Sequence, residues 1–204
     1  MDHCCDKKTG ELAQLQGRQR HVLYIVLWIN AAMFLIEGAA GAVAHSTALL
    51  ADSLDMLGDA LVYGFSLFVL MRSVRWQTGA ALAKGVFMMA FGLGVLAEAA
   101  YKALHPVMPG VETMGMVGGL ALAANLVCFL MLYRHRGDNL NMKSTWLCSR
   151  NDLIANVGVL CAAAGSYLFS SQAPDVAVGL AIASLFLHSA WLVVTQSLRT
   201  WGMA

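Results

Sequence analysis

Three carboxylates, Asp52, Asp55 and Asp59, stand within eight residues of an otherwise apolar segment, 46–60. At 100° per residue they fall within about one 100° sector of a helix. A carboxylate in hydrocarbon costs at least about 2.5–3.5 kcal/mol, so three together require a cation, protons or water. A solvated helix end would also tolerate them, but Leu49 and Leu50 before them and the long apolar run behind them argue for a cation site inside a membrane. A second group, Cys148, Asp152 and Asn156, is spaced by four and forms one helical stripe. Arg150 points to nearly the opposite side, which makes it a poor partner for Asp152. A thiolate with carboxylates suits a borderline-soft divalent cation such as zinc, whereas a set of carboxylates alone leans to harder ions.

Other residues carry weaker signals. Glu37 shares a stripe with Asn30, Phe34 and Gly41. It is either a second proton or ion site, or a hydrogen-bonded packing residue. Gly38 and Gly41 read as contact residues for close helix approach. His45 follows the first apolar run and is either a metal or proton gate or a solvated loop histidine. His105 and His188 have no adjacent partner in sequence and read as structural. His3, Cys4 and Cys5 could capture a soft metal in the cytosol, or belong to a tail without a role.

The elements that must position these groups are long apolar helices. The chain has 204 residues, 59% hydrophobic and only 12% charged, with three prolines, 19 glycines and a mean hydropathy of +0.65. Soluble domains carry about 25% charged residues, so there is too little polar surface here to coat a soluble globule. The pattern predicts an all-α membrane protein, a bundle of six spans at about 21–43, 47–71, 79–103, 113–133, 144–169 and 175–198. Lys7, Lys8, Arg18 and Arg20 precede the first span; Arg72, Arg75 and Lys84, then Arg134, Arg136 and Lys143, flank two connections; Arg199 follows the last. Six spans put all of these on one face, which makes both termini cytoplasmic. Lys102 is the exception on the opposite side. Ala42-Val43-Ala44 resembles a leader-peptide cleavage site, but a polar stretch precedes the run and the run is too long. Three of the five cysteines fall inside apolar runs, against a disulfide framework. A net charge of +1 with no basic patch gives no sign of nucleic acid.

The segments Asn30…Phe34…Glu37…Gly41 and His45-Ser46…Asp52…Asp55…Asp59 closely resemble the first two helices of the cation diffusion facilitator transporters. Asn141-Met142-Lys143…Cys148…Asp152…Asn156 resembles their fifth helix, and Ala173-Pro174-Asp175 the start of their sixth. The resemblance covers the whole membrane part. It implies one divalent metal held by Asp55 and Asp59 with Cys148 and Asp152, and metal export from the cytoplasm driven by proton entry, in a homodimer. Histidine is common in that family at the Cys148 and Asp55 positions, so the ion stays open: zinc first, with cobalt, cadmium, iron or manganese as alternatives. Asn156 is an accessory candidate, beside Cys148 or in its place, as are Glu37, Asp52 and His45. No organic cofactor is implied, the metal being the substrate. The expected organisation is a cytoplasmic tail over 1–20, a transmembrane cation-efflux domain over 21–198, and a short tail over 199–204 in place of the family's C-terminal domain. The expected location is the plasma (inner) membrane of a bacterium. Two rival readings are a membrane metal sensor or adaptor without transport, and an intramembrane aspartyl protease built on Asp59 and Asp152. The protease has no need of Asp55 and Cys148, and the chain is not expected to be an enzyme.

Overall fold

A computed structural model describes residues 3–69, 74–134 and 140–202. They form six helices: α1 His3–Val43, α2 Thr47–Val69, α3 Val74–Leu104, α4 Val111–Tyr133, α5 Leu140–Phe169 and α6 Ala173–Gly202. The six expected spans fall within these bounds to within a few residues. The stretch expected to precede the first span is helical from His3 and continuous with α1; the side chains of His3, Cys4 and Cys5 lie outside the described residues. Five helices are long and apolar enough to cross a membrane, and α2, with its three aspartates, falls short of that measure. The chain is a multi-pass integral membrane protein.

Contacts α1–α2, α2–α5, α5–α4 and α4–α1 close a ring of four helices. The α3–α6 pair lies against α2, and α6 also touches α5. So α2 meets four of the other five helices, and from Ser46 to Leu54 only Leu50 escapes full burial. The outer helices bury a single stripe. On α4 that stripe is Met114, Gly118, Ala121, Asn125, Cys128 and Leu132, alternating steps of four and three. The opposite faces expose large apolar side chains such as Trp28, Leu35, Met116, Tyr167 and Leu185, a surface suited to lipid rather than water. Gly41 and Gly179 bring α1 and α6 onto α2: a Cβ on Gly41 would stand 2.9 Å from Leu50 N, and one on Gly179 2.7 Å from the Thr47 carbonyl carbon.

The α1–α2 turn closes by a Schellman arrangement. Ser46 N–H donates to Gly41 O and His45 N–H to Ala42 O, with His45 in the left-handed region at φ 49°. Ser170 ends α5 the same way at φ 46°, with Ser171 N–H donating to Ser166 O. Just past the first turn, every N–H at the start of α2 is used. Thr47 N–H and Ala48 N–H donate to the carboxylate of Asp175, Leu49 N–H to Ser46 Oγ (3.1 Å) and Leu50 N–H to Ser46 O. Asp175 belongs to the first turn of α6, so one carboxylate serves two helix N-termini, where the helix dipole favours negative charge. Ser46 Oγ donates to it as well, at 2.7 Å. Lys102, at the end of α3, is fully buried and completes the staple: its ammonium donates to His45 O, to Thr47 Oγ1 (2.9 Å) and to Asp175 Oδ2 (3.5 Å). Three N–H groups meet three acceptors.

Candidate metal site

The staple sets the register of α2, and Asp55 and Asp59 follow eight and twelve residues after Thr47. At 1.5 Å per residue they lie about 12 and 18 Å along the helix, near the middle of a hydrocarbon layer about 30 Å thick. Both are half-buried, and so is Asp152 on α5. The α2–α5 contact carries Asp152 to within hydrogen-bonding reach of Asp59, with Asp55 and Asp52 also close enough to act on it electrostatically. Two carboxyls at that separation need a proton or a cation between them. Tyr63, one turn beyond Asp59, donates its hydroxyl to Asp59 Oδ2 at 2.8 Å. Among the described residues no three His, Cys, Asp or Glu side chains are grouped closely enough to hold a metal ion between them.

The sequence-predicted residues sort into three groups. Asp59 and Asp152 come within hydrogen-bonding reach of each other, with Asp55 within electrostatic range. Cys148 occupies the turn of α5 before Asp152, and its side chain lies outside the described residues. Asp52, Asn156 and Glu37 form a separate, fully buried set. Asn156 Nδ2 donates to Asp52 Oδ2 at 2.8 Å, while its Oδ1 accepts from Asn125 Nδ2 at 3.3 Å. That amide is occupied at both ends. His45 stands apart from both: it is exposed, terminates α1, and offers its backbone carbonyl to Lys102. Arg150 is exposed, away from Asp152 as its helical angle predicts. His105 does have a partner, the Tyr101 ring one turn earlier, at a centroid distance of 4.5 Å.

Two features escaped the sequence reading. Cys128, treated there as a residue of an apolar run, is buried on α4 within electrostatic range of Asp59 and Asp152. It shares a cluster with Tyr63, Leu132, Leu23 and Val26, which lines the side of the site toward the chain termini. The other is the staple, whose members come from three segments far apart in the chain.

Residues 23–200 match the family described as the cation efflux transmembrane domain. The chain is similar to a cadmium, cobalt and zinc/H(+)-K(+) antiporter of Bacillus velezensis, 28% identical over 90% of this chain and 63% of that protein. It is similar to the metal cation efflux system protein CzcD of Cupriavidus metallidurans, 25% identical over 90% of this chain and 62% of that protein. The zinc transporter ZitB of Escherichia coli K12 is 27% identical over 98% of this chain and 67% of that protein. The chain thus spans about 63% of the length of the curated relative named first.

Proposed function

The chain belongs to the cation efflux family, and from that premise we propose that it is a secondary transporter moving a divalent transition-metal cation out of the cytoplasm in exchange for protons. Zinc is the first candidate substrate, with cobalt, cadmium, iron and manganese behind it. The observation that carries this reading is the approach of Asp152 on α5 to Asp59 on α2, with Asp55 in electrostatic range and all three half-buried at mid-membrane depth. Cys148 completes a set of three carboxylates and a thiolate, a donor mix suited to a borderline-soft ion.

The exchange follows from charge. Without a ligand, three ionised carboxylates in a low-dielectric setting repel one another. Either a divalent cation or protons relieve that repulsion, so the two compete for the same oxygens, and metal binding releases protons. Tyr63 holds Asp59 Oδ2 by its hydroxyl and limits the rotamers from which Asp59 can reach a cation. Rocking of α2 against α5 then exposes the site to one side or the other. A homodimer in a bacterial inner membrane is part of the same proposal.

The Asp59–Asp152 pair also has the arrangement of an aspartyl dyad, and one experiment separates the readings. Purified protein in vesicles with a pH gradient is offered Zn²⁺, Co²⁺, Cd²⁺, Mn²⁺ and Fe²⁺, alongside Asp59→Ala and Asp152→Ala variants. Metal accumulation with opposite proton flow, lost in both variants, is the expected result. Wild-type and variant vesicles behaving alike for every ion would sink it. Binding without movement would favour a sensor, and cleavage of a membrane peptide a protease.

A further inference from the structure

Glu37 and Asp52 form a second acidic group that the metal set leaves unused. Glu37, on α1, is completely buried, and neither carboxyl oxygen meets an N–H or O–H donor among the described residues. Asp52 Oδ1 is in the same condition, while Oδ2 accepts from Asn156. The Asn125–Asn156 hydrogen bond fixes which way the Asn156 amide faces. That leaves Asp52 Oδ1 free toward Glu37, and the two carboxyls lie within hydrogen-bonding reach of each other.

Two ionised carboxylates in contact, buried and without donors, would carry the full desolvation cost and repel as well. A proton between them turns the contact into a short, charge-assisted O–H···O bond, among the strongest hydrogen bonds available. Three open oxygens fall short of the roughly six to eight that a hard cation such as calcium gathers. The charged groups nearby are also acids, Asp55 of α2 within electrostatic range of Glu37 and Asp152 of α5 within range of Asp52. From α4 comes the neutral Asn125. The buried charges of α3 and α6, Lys102 and Asp175, are spent on each other at the staple.

We infer that the Glu37–Asp52 pair is a proton-binding site distinct from the metal ligands, holding the counter-ion once Asp55, Asp59 and Asp152 have released the metal. The inference rests on the exchange reading above. It also supplies a coupling: a divalent cation beside Asp55 replaces negative charge near Glu37 with positive, and the shared proton leaves. Its return is favoured once the metal has gone.

The test uses full-length protein in vesicles loaded with a pH-sensitive dye, with Glu37→Gln compared to wild type. The variant keeps metal-for-metal exchange in the absence of a pH gradient, and loses metal-driven proton counterflow. Wild-type counterflow per metal in the variant overturns the inference, and so does joint loss of exchange and counterflow in a variant that stays monodisperse. Counterflow that follows a potassium gradient and vanishes in Glu37→Gln assigns the pair to an alkali cation and overturns it too. Should Glu37→Gln not fold, Asp52→Asn is read in the same way. Infrared spectra of wild type with isotope-labelled glutamate give a readout independent of transport. A protonated-glutamate carbonyl band at neutral pH supports the inference even if no metal moves, and absence of the band overturns it.

Discussion

Two polar clusters lie inside this bundle, and they are built on opposite principles. At the α1–α2 hairpin end, Asp175 accepts from Ser46, Thr47, Ala48 and Lys102, and Lys102 finds three acceptors. Deeper in, five acids gather with few donors: Glu37 and Asp52 keep buried oxygens unpartnered, and Asp59 stands against Asp152. A buried polar group with every partner in place holds a structure together, while one left short stores a demand that a mobile ligand can meet. Burial alone does not separate the two, since Asp175 and Asp52 are both fully buried. Partner counting does.

The contrast can be broken by substitution. Asp175→Ala removes one member of a buried ion pair together with the acceptor of two backbone N–H groups, and should cost about 3–5 kcal/mol in thermal unfolding of the detergent-solubilised protein; adding Lys102→Met to it should restore part of the loss. Asp59→Asn or Asp152→Asn should show the opposite pattern, with no loss of unfolding temperature and abolished metal flux. A stability loss matching that of Asp175→Ala would erase the distinction. Gly179→Ala presses a methyl to 2.7 Å from the Thr47 backbone and should cost about 1–3 kcal/mol through overpacking. Asn156→Leu strands Asp52 Oδ2 and should cost about 1–3 kcal/mol, with vesicle transport reporting whether metal affinity follows. His45→Gly relieves a left-handed φ and should gain up to about 1 kcal/mol. Its transport should match wild type, which an ion gate at His45 would not allow.

Local periodicity made much of this legible. Apolar runs placed the helices, and spacing put Asp55 with Asp59 and Cys148 with Asp152 before any fold was known. Resemblance then joined the two stripes. What stayed hidden depended on contacts distant in the chain. Lys102 reads as a stray charge at a helix end because its partner is 73 residues away, and Asp175 reads as an ordinary first-turn acid. Asn156 reads from its own helix as a ligand candidate, since nothing there shows Asp52, 104 residues back, meeting its amide. Cys128 looked like filler because its stripe on α4 is otherwise apolar apart from Asn125.

The staple has a mechanical consequence. It ties the starts of α2 and α6 to the end of α3, so α2 is a lever with its fulcrum at Thr47. At 1.5 Å per residue the arm reaches about 12 Å to Asp55 and about 33 Å to Val69. A swing of about 10° then carries Asp55 some 2 Å and the far tip about 6 Å. Metal–ligand distances tolerate errors of only about 0.2 Å, so under the proposed exchange a swing of that size would free a cation from Asp55 early, before the far tip had made most of its travel.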